Sequence, residues 1–381
     1  MTTIPGDRIT AAAAARVDAT LALLRTLVEL ESPSSEKDAV DRLIDWLQAE
    51  IERRGGEVGR LPQDSWGDLL VARFGGAGDG PLQVMTHIDT VWPLGTIERL
   101  PWREDGDRIY GPGIYDMKAS AAMMLSALDI LAELGLSHRP IVWTINTEEE
   151  VGSPVSRPVL ERVARESACV LCLEPPVPPS GSLKTERKGV GMFTMSIEGR
   201  ASHAGADHQA GISAIEELAR QVQRLHALTD YDRGTTVNVG IVSGGTKRNV
   251  VAASARAEID LRVTSLAEAE RVVPLILDST SLVDGTTVRI NGEINRPPME
   301  RTPAIVAAFE RAREIGRAVG QELTEASTGG GSDGNFTAAI GATTLDGLGC
   351  PGDGGHADTE HILRSAVGPR TALITALLAG L

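Results

Sequence analysis

Five short segments of this chain end in residues that hold hard or borderline metal ions: His87 with Asp89, Asp116, the pair Glu149 and Glu150, Glu174, and His356. Each lies just past an apolar run or in a glycine-rich loop. His87 leaves the run Leu82 to Met85, which reads as a buried parallel strand. Asp89, two residues on, lies on the same side of an extended backbone, where a carboxylate can hold one imidazole nitrogen and free the other for a metal. Two imidazoles with carboxylates, and no usable thiolate, suit zinc, with cobalt or manganese as alternatives. One histidine at each end of the set and a carboxylate to share invite two metals about 3.5–4 Å apart, a spacing that clamps a hydrolytic transition state.

The competing reading of Glu148-Glu149-Glu150 is an acidic cap at a helix start. Its place against a strand end and Gly152-Ser153, beside four other ligand candidates, favours the site. Cys169, Cys172 and Cys350 cannot all pair within one chain, and the CxxC spacing of the first two falls in an apolar run, so they read as buried small hydrophobes. His138, His226 and His361 occupy unremarkable contexts, and His208, after Asp207, stays undecided.

Positioning these residues requires a sheet whose strand ends converge. Strands are expected at 57–61, 69–74, 82–85, 141–146, 169–173 and 342–345. Helices are expected over 10–30, from a cap at Ser34 or Ser35 to Gly55, over 119–134, from Thr302-Pro303, and over 369–380. Strand and helix alternate, which predicts an α/β fold with a doubly wound, mainly parallel sheet. Between two proline-rich stretches the order changes to strand, helix, strand, strand, helix, strand, the order of a ferredoxin-like α+β domain. The expected organisation is a zinc-binding catalytic domain of residues 1–178 and 295–381, with residues 179–294 inserted as a lid and dimerisation domain.

With 381 residues, two domains are expected. Asp plus Glu number 52 against 37 Lys plus Arg, and the net charge of −15 argues against nucleic acid or an anionic membrane as partner. The N-terminal residues lack the charge and apolar pattern of a secretion signal, and no run is long enough to span a bilayer, so a cytoplasmic protein is expected.

Taken together, His87-Ile88-Asp89-Thr90, Gly111-Pro112-Gly113 through Asp116-Met117-Lys118, Thr147 to Ser153, Glu174-Pro175 and Ala201-Ser202-His203-Ala204-Gly205 resemble the motifs of the M20 metallopeptidases. The resemblance runs over essentially the whole chain. It implies that His87 and Glu174 bind one zinc, Glu150 and His356 the other, and that Asp116 bridges them. It further implies Glu149 as general acid/base and Asp89 as the support of His87. In the lid, His203 resembles a residue that reaches a partner subunit's site and contacts the substrate carbonyl. Asn249 and Arg262 resemble residues that bind the substrate carboxylate, beside a loop matched by Gly329, Gly330 and Gly331. The zinc pair would acidify a bridging water, Glu149 would relay its proton, and the Arg262 fork would hold a terminal carboxylate.

The implied activity is hydrolysis of an amide bond in a small N-acyl amino acid or short peptide, by a homodimer joined through the lid. Within the family the motifs look most similar to the glutamate carboxypeptidases, which release a C-terminal amino acid. The alternative is an N-acyl-amino-acid deacylase such as acetylornithine deacetylase or succinyl-diaminopimelate desuccinylase. A catalytically silent metal-binding assembly protein fits less well, because Glu149 and the ligand set are intact. A serine hydrolase is disfavoured by the lack of a G-x-S-x-G elbow.

Overall fold

The computed structural model describes residues 4–381, which divide into two compact units. The first comprises the described residues up to Glu186 with Arg301–Thr328 and Ser332–Leu381. The second is Arg187–Glu300 with Gly329–Gly331.

The first unit is built on a six-stranded sheet in the order Glu57–Leu61, Leu69–Phe74, Ile141–Asn146, Leu82–His87, Cys169–Cys172, Thr344–Leu345. The last four strands are mutually parallel, while Leu69–Phe74 runs antiparallel to both of its neighbours. Leu82–His87 is flanked by Ile141–Asn146 and Cys169–Cys172, the next two strands of this sheet in sequence, one on each side. The connections therefore diverge at its carboxyl end, where open α/β sheets place ligand sites.

Both sheet faces are covered, which explains the near-continuous apolar strands. Leu70, Ala72, Val84, Trp143, Ile145 and Leu171 share a core with the helices Val17–Glu29, Lys37–Arg53, Ala119–Leu134 and Arg364–Gly380. Met85, Val170 and Cys172 on the other face meet Leu160 and Ala164 of the helix Arg157–Glu166. Ala119–Leu134, apolar all round, is accordingly buried along most of its length and stops at Gly135, whose left-handed φ of 60° an L side chain rarely adopts.

The second unit is an antiparallel sheet in the order Thr236–Gly244, Ser254–Val263, Gly189–Glu198, Thr287–Arg296, with the helices Ala214–His226 and Leu266–Leu277 between strands in sequence. Its separate core contains Phe193, Met195, Ile197, Leu218, Leu225, Ile259, Leu261, Val272 and Ile276. In Ser254–Val263 the alternate residues Ala255, Ala257, Ile259, Leu261 and Val263 are buried, as the period of two predicts.

Several expectations shift. The single helix over 10–30 is two, Gly6–Ala15 and Val17–Glu29, broken at Arg16, whose backbone (φ −100°, ψ 1°) leaves the helical region. The second expected helix starts at Lys37, and neither serine caps it. The last helix starts at Arg364 and carries Pro369 inside it. The inserted unit starts at Arg187 rather than 179, because Leu183–Arg187 pairs with Glu325–Thr328 and Leu183 N–H donates to Thr324 O. It ends at Glu300 rather than 294, because Met299 and Arg187 exchange backbone hydrogen bonds of 3.0 Å. Among the described residues no helix is long and apolar enough to cross a membrane.

Candidate active site

Three parallel strands deliver ligand candidates from one edge. His87 is the last residue of its strand, Glu149 and Glu150 begin a short turn three residues beyond Asn146, and Glu174 follows Cys172 by two. Asp116 arrives on a glycine loop in which Gly113 has φ 70° and a Cβ would lie 2.4 Å from Thr90 Cγ2. His356 comes from the loop before the strand His361–Leu363, with φ 63°.

These side chains converge. His87 Nε2 lies 3.1 Å from Asp116 Oδ1 and 3.5 Å from Glu174 Oε1. His356 Nε2 lies 3.5 Å from Asp116 Oδ2 and 3.1 Å from Glu150 Oε2. Asp116 thus turns one oxygen to each imidazole, and each imidazole has a second carboxylate beside it. Ligand atoms around a tetrahedral zinc, with bonds of about 2.0–2.1 Å, stand about 3.3–3.4 Å apart, so these separations match the edges of such a polyhedron. The ligand atoms of His87, Asp116 and Glu150 all lie within 4.8 Å of one another. Two nitrogens and three carboxylates without a thiolate form a donor set that fits a borderline divalent ion.

Electrostatics point the same way. The Asp116 and Glu150 carboxylates raise the His356 imidazole to about 10. Burial lowers His87, but Asp116, Asp89 and Glu174 outweigh it and hold the ring well above its ordinary value. Burial pushes Glu150 up to about 7. Burial also raises Asp116, yet its bonds to His356 and His87 win and keep it well below the usual carboxylate range. The carboxylate field that draws these imidazoles to their charged form attracts any cation placed among them.

Asp89 is fully buried and accepts from Ser34 Oγ at 2.7 Å, Glu149 N at 3.1 Å and Glu150 N at 3.2 Å, while its Oδ1 lies 3.5 Å from His87 Nδ1. The nearer partner of His87 Nδ1 is the Asp89 carbonyl at 3.1 Å. Either contact leaves Nε2 facing Asp116 and Glu174. Asp89 therefore orients the imidazole and fixes the backbone of both glutamates. Glu149 is buried, whereas Glu148 turns away and accepts from Val155 N and Ser156 N, beside the helix start. With Glu148 and Glu149 buried and the Glu150 side chain 7% exposed, the triplet is not a solvated acidic cap.

The remaining expected residues belong to the second unit. His203 is exposed, and its Nδ1 accepts from Gly205 N at 3.1 Å and Ala206 N at 3.0 Å, so a neutral ring carries its proton on Nε2. Asn249 is exposed on a loop tied to the same turn, with Ala204 N–H donating to Asn249 O at 3.0 Å. Arg262 directs its fork at Asp260, with two contacts of 2.9 Å, and reaches Gly329 O at 3.4 Å. Gly330 and Gly331 carbonyls accept from Arg187, which is buried. At Gly331 a Cβ would meet Arg296 Cδ and Val190 Cγ2 at 2.8 Å, so only glycine fits.

Sequence reasoning missed three contributors. Ser34, expected as a helix cap, donates to Asp89 instead. Asn146 holds Thr147 N and Glu148 N with its oxygen and reaches Ser153 and Asp333 with its nitrogen. Glu360 is buried and accepts from the Asp116 loop. Its only sequence signal is its place four residues after His356.

Residues 84–380 match the model of peptidase family M20/M25/M40. Carboxypeptidase G2 of Pseudomonas sp. (strain RS-16) is 29% identical over 367 residues, covering 94% of this chain and 88% of that protein. Succinyl-diaminopimelate desuccinylase of Leptothrix cholodnii is 27% identical, covering 92% and 95%. Among solved structures, aminopeptidase PepT of Bacillus cereus superposes with a TM-score of 0.79 at 21% identity, covering 96% of this chain and 98% of that one. The M20 family metallo-carboxypeptidase Sso-CP2 of Sulfolobus solfataricus gives 0.75 at 16%, covering 95% and 98%.

Proposed function

As the chain belongs to peptidase family M20/M25/M40 and is a hydrolase of amide bonds, we propose that it is a dinuclear zinc enzyme that releases a C-terminal, glutamate-like amino acid from an N-acyl or peptide conjugate. The observation that carries the proposal is Asp116, whose two oxygens face His87 and His356 while Glu174 and Glu150 flank the pair. In this reading His87 and Glu174 hold one ion, Glu150 and His356 the other, and Asp116 is shared. Cobalt or manganese would suit the same donors. Bound there, the ions would bring a water's pKa close to neutrality.

The chain's own residues then divide the work. Glu149 takes the proton of the attacking water and delivers it to the leaving nitrogen. Asp89, through the amides of Glu149 and Glu150, holds one carboxylate as base and its neighbour as ligand. His203, with Nδ1 occupied as an acceptor, offers Nε2–H to the carbonyl oxygen as it gains charge. Asn249 and Arg262 receive the substrate carboxylate, beside Gly329, Gly330 and Gly331. Arg262 meets it by exchanging or sharing its contact with Asp260.

The inserted unit is read as a lid and a homodimer contact. Support comes from its edge strand Thr236–Gly244, which exposes Ile241 at 61% and Val242 at 57%. Ile215, on the helix Ala214–His226, is also 45% exposed. The similarity to a desuccinylase favours a second reading, an N-acyl-amino-acid deacylase.

The test is product release from N-acyl-glutamate, N-acyl-aspartate and N-acetylornithine, before and after chelation. Activity should vanish with the metal and return with zinc, cobalt or manganese. Full turnover at a verified metal content of nil would sink the proposal. Preference for N-acetylornithine would select the deacylase.

A further inference from the structure

Glu360 is 3% exposed and faces four donors. Its Oε1 accepts from Tyr115 N at 2.9 Å and Asp116 N at 3.1 Å. Its Oε2 accepts from Gly113 N at 2.9 Å and Trp92 Nε1 at 2.8 Å. One carboxylate therefore fixes the backbone of the loop that presents Asp116, at the residue itself and at two just before it. It also ties that loop to Trp92, five residues beyond His87 on the segment that leaves the central strand.

Glu360 is bound just as closely to the other side of the site. The turn from Gly354 to Glu360 is closed by Ala357 N–H donating to Gly354 O at 2.9 Å and Glu360 N–H donating to Ala357 O at 2.8 Å. His356 lies inside that turn. Beyond it, the strand His361–Leu363 pairs with Arg108–Tyr110, so the turn is fixed at its far end as well. The separation between Asp116 Oδ2 and His356 Nε2, 3.5 Å, thus depends on where one buried carboxylate holds two loops.

We infer that Glu360 is a positioning residue that sets the spacing of the Asp116 and His356 donors, touching neither substrate nor metal. This rests on the reading of the site as a metal centre. A fold-only role would need just a filled volume. The bond pattern needs two acceptor oxygens, and a glutamine supplies one. In Glu360→Gln the oxygen can serve one pair of donors, while its NH2 confronts the other pair, so half of the clamp opens without a change in size.

The experiment is a cobalt(II) titration of the full-length protein, read by absorption spectrum and by metal retained against a competing chelator. The parent should bind two equivalents. Glu360→Gln should hold at least one about 10–100-fold more weakly, the usual cost of removing a partner that orients a ligand. Its metal-free form should melt near the parent. At saturating metal, kcat should fall while KM stays. Trp92→Phe, which deletes one donor of four, should weaken cobalt less than Glu360→Gln does. Two equivalents held by Glu360→Gln at parental affinity would overturn the inference, as would a metal-free variant that melts far below the parent. A parent that binds no cobalt would instead overturn the metal-centre reading, which keeps the two failures distinct.

Discussion

The two units hold their proposed functional side chains in opposite ways. In the first, His87, Asp89, Glu149 and Glu174 are buried, Asp89 fastens the backbone of Glu149, and Glu360 fastens that of Asp116. His356 is the member left half exposed. In the second, His203 and Asn249 lie on exposed turns joined by backbone bonds from Ala204 N to Asn249 O and from Val251 N to Ser202 O, and Arg262 carries its own carboxylate partner in Asp260. A charged donor set needs fixed geometry, because a displacement of a few tenths of an ångström takes a ligand out of bonding range. Groups that receive substrates can move, since a substrate's binding energy can order them.

If that contrast is right, the first unit should tolerate no change of charge at all. Glu149→Gln should lower kcat about 10²–10⁴-fold, the worth of a proton shuttle, with both metals retained. Glu150→Gln should lose metal, assayed after gel filtration, because the carboxylate proposed as a ligand, 3.1 Å from His356, becomes neutral. Loss of metal by Glu149→Gln, with the rate per remaining site preserved, would exchange the two roles.

Effects in the second unit should be smaller and substrate-dependent. Arg262→Lys replaces a fork by a point charge, and losing one charge-assisted hydrogen bond costs about 1.5–3 kcal/mol. That is roughly 10–150-fold in kcat/KM for a substrate with a free carboxylate. The methyl ester of the same substrate should be nearly indifferent. Equal losses on acid and ester would remove Arg262 from the carboxylate pocket and leave it as the partner of Asp260.

The units also differ in how far their sequences disclose them. Apolar runs located the strands of the first unit's six-stranded sheet to within two residues, because burial on both faces leaves a near-continuous apolar segment in the chain. Ligand candidates stood out because His87, Glu149, Glu150 and Glu174 follow such runs, while Asp116 and His356 lie in glycine-rich loops. Contacts made through the backbone left no such trace. Ser34 reads as a helix cap and serves Asp89, and Glu360 reads as an ordinary loop acid while it accepts three main-chain amides. The break at Arg16 has no glycine or proline to mark it. Unit boundaries moved by several residues because Leu183–Arg187 pairs with a strand more than a hundred residues away, a choice set by tertiary contact.

The smallest expected effect separates the two units by pH. In the inserted unit Glu268 accepts from Arg271 and from Thr235 Oγ1 at 2.5 Å, and its Oε2 lies 3.7 Å from Arg233 Nη1. The bond to Arg271, with Thr235 and the nearby arginine charges, outweighs the opposing effect of burial and holds the carboxyl at about 2, below its ordinary 4.5. A folded-state value depressed in this way contributes stability that is complete above about pH 4.5. That contribution fades as the pH falls toward 2, because the unfolded chain takes up the proton first. Arg271 is more than a third exposed, so solvent screening limits the contribution to about 1 kcal/mol. Glu268→Gln should therefore melt lower than the parent at pH 7, and the gap should close on acidification through that window. It should leave metal content unchanged, because its partners all lie in the second unit. A gap that stayed constant from pH 7 to pH 3 would show that Glu268 acts through packing rather than charge. A loss of metal would show that the two units do not hold their sites independently.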